Sequence, residues 1–246
     1  MKLWLSQIWI GLFICGIVFM SPLASMLPSE DNRGVICHHG TVSMVYCPQH
    51  AAVQSFGQCV NLPCDTRTQR DQVVIQPDPA TGKDTTIACP DTGYDTSNFG
   101  TSHKIQVNQV AYPNKILIQF PLDAIPSNAT IQSAIFQMYD FDYYDSTSLP
   151  VAAYRIMVPW AEGTGNYTAS NDGATWYTRD GTNSWNVAGM GAGSDYDATA
   201  VATTSVSVTG WYSWNITALV NAWRAGTYPN YGIMLMGVSG GTYYKP

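Results

Sequence analysis

"GWYSWNITALVNAWRAGTYPNYGIMLMG" (210–237) reads as a strand, then a short helix, then a strand again. In the first part Tyr212, Trp214 and Ile216 alternate in register, and Trp211 points the other way. A half-buried strand has that period of two. From Ile216 the period changes. Ile216, Leu219, Val220 and Trp223 fall at i, i+3, i+4 and i+7, the apolar stripe of an amphipathic helix. Asn215 or Thr217 stands where a helix is capped, and Gly226 stands where a left-handed C-terminal cap belongs. The stretch predicts one short helix over about 217–225, lying across one end of a β-structure. Trp214 and Trp223 are assigned to the core.

Working outward, the pattern is of short strands separated by turn residues, with no further helix between them. "QVVIQ" (72–76), "DTTIAC" (84–89), "HKIQVNQV" (103–110), "NKILIQF" (114–120) and "ATIQSAIFQMYDFDYY" (129–144) come first. "VAAYRIMV" (151–158), "ATTSVSVTG" (202–210), "WYSWNI" (211–216) and "YGIMLMGV" (231–238) complete the set. Sequential strands of this kind favour an all-β antiparallel sandwich over an α/β fold. Between 159 and 200 lies a Gly-, Asn-, Ser- and Asp-rich stretch carrying Trp160, Trp176, Tyr177, Arg179, Trp185 and Tyr196. Loops of that length in a compact domain are functional more often than not.

The two ends of the chain differ. Lys2 followed by "IWIGLFICGIVFM" (8–20) and "SPLASM" has the charged start, short apolar run and small residues of a secretory leader, placed at 1–25. No other segment is apolar enough to cross a bilayer, so no membrane is expected after leader removal. Residues 26–70 hold Cys37, Cys47, Cys59 and Cys64, and Cys89 follows in the strand region. In an oxidising compartment these five are disulfide candidates. An odd count leaves one free or bound to another chain. The spacing favours disulfides over zinc, which needs four converging ligands. The formal charge of −6, with basic residues scattered, argues against a nucleic-acid partner.

Several runs, in order, carry a family resemblance: "QPDPATGKDTTI", "DTSNFGTS", "ILIQFPLDAIPSNATIQSAIFQMY", "VPWAEGTGN", "GATW", and the opening stretch itself. Residues 72–246 resemble the DNRLRE domain. That resemblance implies a secreted jelly-roll-type β-sandwich, usually a non-catalytic appendage of cell-surface proteins or polysaccharide-active enzymes. Its relatives include carbohydrate-binding modules, some for acidic polysaccharides such as alginate, and disaggregatase-related proteins. Two departures stand out. Residues 26–70 match no known pattern, and the chain ends at "GTYYKP" (241–246), where the family continues into one more strand. A sandwich without that strand exposes an edge, which another chain or the N-terminal segment would fill.

Chemistry is sparse. There is no GxSxG elbow, P-loop or HExxH. Glu162 in "WAEGTG" is the best acid candidate, and its bland reading is a loop hydrogen bond. No enzyme is expected. For cations, Asp84, Asp91, Asp95 and Asn98 form an oxygen-only set suited to calcium, against the alternative of turn-forming residues. For sugars, a flat ring lies against the C–H face of a pyranose, and a basic group would pair with a uronate. Trp176, Tyr177, Arg179, Trp185 and Tyr196 are the candidate carbohydrate surface, and the rival is that they pack the long loop onto the sheet. The leading expectation is a secreted, non-catalytic module binding polysaccharide or cell-envelope glycan at a cell surface or matrix. The runner-up is a filament or surface-layer subunit whose partner is itself, joined by strand donation or an intermolecular disulfide. Sequons at Asn128, Asn166 and Asn215 add a host-dependent possibility of glycosylation.

Overall fold

A computed structural model describes residues 6–13, 35–38, 41–45, 70–76, 82–108, 113–141 and 148–238. The strands in chain order are β1 (Ser6–Phe13), β2 (Val35–His38), β3 (Thr41–Val45), β4 (Arg70–Ile75), β5 (Lys83–Ile87), β6 (Ser97–Asn98) and β7 (Lys115–Gln119). They continue with β8 (Thr130–Asp140), β9 (Leu149–Arg155), β10 (Thr168–Ala169), β11 (Ala202–Val206), β12 (Gly210–Asn215) and β13 (Ile233–Gly237), and the helix α1 is Thr217–Arg224. Two antiparallel sheets dominate, one in the order β12-β8-β1-β4 and the other β11-β9-β13-β7-β5. The fold is the all-β sandwich that the short alternating strands indicated.

Between the sheets lies the first core. Ile131, Ala134, Phe136 and Trp214 come from the four-stranded sheet, and Ile116, Ile118, Val151, Ala153, Ile233 and Leu235 from the five-stranded one. Trp214 also donates its indole N–H to the Val151 carbonyl at 2.9 Å, tying one sheet to the other. The helix closes an end as its stripe required, burying Leu219, Val220 and Trp223. The N-cap position falls on Ile216, which makes no side-chain cap bond, rather than on Asn215 or Thr217; Asn215 Oδ1, one residue earlier, accepts from the Thr217 amide at 3.1 Å. At the other end Gly226 has φ 71. Its amide donates to Trp223 and that of Thr227 to Ala222, the paired bonds that satisfy the last carbonyls of a helix. Trp211 is 48% exposed, consistent with its opposite register.

A second core sits on the other face of the five-stranded sheet. Ile87, Leu117, Ala152, Tyr154, Ile156 and Met234 project there and meet Trp160, Ala174, Trp185, Met190 and Tyr196 from the long loop. The molecule therefore has a third layer. Its cause is legible in "ILI", "VAAY" and "IMLM", which are continuous rather than alternating and so supply apolar side chains to both faces.

Three elements depart from the sequence expectation. Residues 103–108 form no strand. The Gln106 amide donates to the Thr86 hydroxyl at 2.8 Å and the Asn108 amide to the Asn114 carbonyl at 3.3 Å, so their bonds go to a side chain and a turn, not to a ladder. Inside the cysteine-bearing segment, β2 and β3 form a short hairpin in which Cys37 lies across from Val42. Cys47, Cys59 and Cys64 fall outside the described residues. Within the run assigned to a leader, β1 pairs with both β8 and β4.

Candidate functional site

The loop layer is organised around one side chain. Asn98 is fully buried at the start of the loop contacts. Its amide donates to the Glu162 carbonyl at 2.7 Å and the Ala174 carbonyl at 2.9 Å. Its Oδ1 accepts from Gly100 at 3.1 Å and Gly165 at 2.8 Å. Three of those bonds stitch Asn98 to 162–174, and the fourth shapes the turn at Gly100. Gly163, at φ 80, lies so close to the Asn98 side chain that a Cβ there would collide with it. The pairing of β6 with β10 extends the same junction, with Thr168 across from Asn98.

A second knot holds residues 185–196. Asp195 is fully buried, and its carboxylate accepts from the amides of Asn186, Val187 and Gly191 and from the Asn186 side chain. Burial alone would raise its pKa, but these donors outweigh it and hold Asp195 below the ordinary carboxylate range. Beside it, Lys115 enters from β7 and donates to the Gly189 and Met190 carbonyls. Its ammonium lies 5.5 Å from the ring centres of both Trp176 and Tyr196. Burial pulls Lys115 down to about 8, partly opposed by Asp195.

These knots decide the fate of the expected sugar platform. Trp185 and Tyr196 are only 4% and 8% exposed, and Trp185 spends its indole N–H on the Thr175 carbonyl at 2.9 Å. Trp176 is half-buried over Lys115. Arg179 Nε is buried without a hydrogen-bond partner and lies 3.8 Å from Asp180. Of the five, Tyr177 alone is broadly exposed, at 42%. The other rings pack the loop onto the sheet, because the sheet's outer face is itself apolar.

Tyr177 is not isolated. Its hydroxyl donates to Asp95 at 2.8 Å, which places it next to Tyr94. That hydrogen bond to Asp95 raises the Tyr177 hydroxyl above its usual range. Tyr94 is 47% exposed and meets Tyr167, 38% exposed, edge to face at 5.9 Å. Phe99, buried beneath, meets Tyr167 at 4.7 Å. Tyr167 has φ 57, a left-handed conformation that a bulky residue rarely holds. Nearby, Asp172 accepts from Thr164 and from Ser170, which hold it below the usual carboxylate range. The exposed Tyr94–Tyr167 pair, with Tyr177 bonded to Asp95 next to Tyr94 in the chain, makes a tyrosine-bearing ridge. The sequence reading passed over Tyr94 and Tyr167. Their placement depends on Asn98 joining two loops that lie far apart in the chain.

The calcium set does not gather. Asp84 is buried in β5, Asp91 is exposed on a short 3-10 turn, and Asp95 receives Tyr177. Asn98 has both lone pairs committed to backbone amides. Among the described residues no three His, Cys, Asp or Glu side chains converge as a metal site. Glu162 accepts the Asp84 amide at 3.1 Å, the loop hydrogen bond that its sequence context allowed. Cys89 is a buried free thiol, and burial pushes it above the ordinary range. A separate group of rings, Trp211 and Tyr139 at 5.4 Å, lies on the four-stranded sheet.

The model of carbohydrate-binding module family 96 matches residues 79–245. The chain belongs to that family. From β5 onward the match covers the five-stranded sheet, β8 and β12 of the other sheet, the loop layer and the helix, and leaves β1 and β4 outside. It supports the carbohydrate-binding side of the sequence resemblance. No curated protein and no solved structure matches the chain. A family 96 module binds carbohydrate, typically without catalysis. Among the described residues, no helix is long and apolar enough to cross a membrane.

Proposed function

We propose that this family 96 module is a secreted, non-catalytic binder that grips a neutral polysaccharide of a cell surface or matrix along the ridge of Tyr94, Tyr167 and Tyr177. The observation that supports it is the exposure of three rings on loops fixed by the Asn98 and Asp195 junctions. Rings so held lose little freedom on binding, which is where flexible loops lose affinity. Each ring face covered by a pyranose contributes about 1–2 kcal/mol. Asp95, bonded to Tyr177, and Asp91, exposed on the turn that precedes Tyr94, serve as acceptors for sugar hydroxyls. The same carboxylates repel uronates, and Arg179, the basic group expected to offset them, lies against Asp180. A neutral chain is therefore favoured over an alginate-like one. Left-handed Tyr167 fits this role, since strained residues cluster where a ligand is gripped.

Titration of the secreted protein against neutral and uronate polysaccharides, by calorimetry and affinity electrophoresis, tests the reading. Tyr94→Ala, Tyr167→Ala and Tyr177→Ala should each weaken binding about tenfold, as loss of roughly 1.4 kcal/mol implies. Trp211→Ala, on the other sheet, should leave it unchanged. Binding that survives all three tyrosine changes, or that prefers the uronate polymer, refutes the proposal.

A further inference from the structure

The strands of this sandwich pair in nested fashion. β9 pairs with β11, β8 with β12, and β7 with β13. Each pair encloses the one before it along the chain. The next strand outward in the four-stranded sheet is β4, and by the same nesting its partner would follow β13. That place is held instead by β1, from the other end of the chain.

The fit of β1 is two-sided. It pairs with β8 from Ser6 opposite Met138 to Phe13 opposite Thr130, with one irregularity at Gly11/Leu12. It pairs with β4 from Ile8 opposite Ile75 to Phe13 opposite Arg70. Without it, among the described residues, β8 keeps an open edge and β4 has no partner in its sheet. Flanking the position are Ile75, Ile131, Ala134 and Phe136, all at most 5% exposed. A strand missing here would open the core along its length. Residues 14–69 separate β1 from β4. A connection of that many residues does not oblige β1 to pair within its own molecule.

We propose that the position between β8 and β4 is a strand-acceptor site for the Ser6–Phe13 run, filled in cis in the uncut chain and in trans by a second copy once the resident run is cut away. The second copy's run fits because it is the same sequence in the same register. Main-chain bonds to two edges supply affinity, and register comes from Ile8 opposite Ile75 and Phe136 and from Ile10 opposite Val73 and Ala134, whereas Leu12 is opposite Ile131 on β8 and Asp71 on β4. The run is also the apolar part of the expected leader, so a copy that has lost its leader can accept a strand, and only an uncut copy can donate one. This inference is independent of the glycan reading, because the site lies in the sheet and not on the tyrosine ridge.

The test begins with the full chain carrying a protease site inserted between residues 20 and 25. After cutting, the N-terminal fragment should stay with the body on gel filtration and leave only in mild denaturant. The stripped body should then take up a labelled synthetic peptide of residues 6–13, and β8 amides should regain slow hydrogen exchange. The same peptide with Ile8→Ser and Ile10→Ser should bind at least tenfold more weakly. Tagged uncut chains should be captured by the stripped body, and excess peptide should block the capture. A stripped body that no longer folds should be rescued by the native peptide and not by the serine peptide. The proposal is overturned if the fragment falls away while β8 and β4 keep their protection. It is also overturned if both peptides bind alike, if neither rescues folding, or if uncut chains are not captured.

Discussion

Asn98→Ala is the sharpest perturbation of the loop layer. The side chain makes four hydrogen bonds, to Gly100, Glu162, Gly165 and Ala174, and is fully buried. Truncation leaves two carbonyls and two amides without partners. Each buried orphan costs about 1–3 kcal/mol. These costs do not add in full, because the loops relax and water enters the space left. The expected loss is about 3–5 kcal/mol, and at roughly 2–4 °C per kcal/mol the melting midpoint falls by about 6–20 °C. Calorimetry gives the midpoint, and hydrogen exchange shows where the damage lies, with the Gly100 and Gly165 amides opening first. Asn98→Asp provides a control. At neutral pH it keeps the acceptor but sets an oxygen against the Glu162 and Ala174 carbonyls, so it should be nearly as harmful. It should recover part of the loss as acid protonates the new carboxyl. A midpoint within 2 °C of the parent, with Gly100 and Gly165 still protected, refutes the claim that Asn98 holds the layer together.

Trp185→Ala should cost about 3–5 kcal/mol, because the ring is buried and hydrogen-bonded. Tyr177→Ala should cost under about 0.5 kcal/mol while still weakening glycan binding, so melting and titration together separate packing from contact. Lys115 gives a pH signature. Its folded value of about 8 lies below the ordinary lysine value of 10.5, so between those values the unfolded chain holds more protons. Stability must then rise with pH, by about 2 kcal/mol from pH 8 to pH 10. Lys115→Met should abolish that rise in denaturant titrations at the two pH values. A parent protein whose stability stays flat over this range would count against a buried, destabilised ammonium.

Local pattern was enough for the helix, its C-terminal cap, most of the strands from β4 onward and the two structural tryptophans. In each case the deciding forces act between near neighbours, as in the stripe at Ile216, Leu219, Val220 and Trp223 and the left-handed Gly226. The failure at 103–108 has the opposite cause. Alternation there was real, but β5 offered the Thr86 hydroxyl in place of a ladder.

The sequence by itself determined that this is an all-β sandwich with a helical lid and no recognisable catalytic motif, because periodicity and turn chemistry are local properties of the chain. Only the tertiary structure decided which rings meet solvent. Trp185 and Tyr196 are hidden and Tyr94, Tyr167 and Tyr177 exposed because the five-stranded sheet needs a cover on its second face, and because Asn98 joins loops more than sixty residues apart. Contacts of that separation leave no period in the sequence to read.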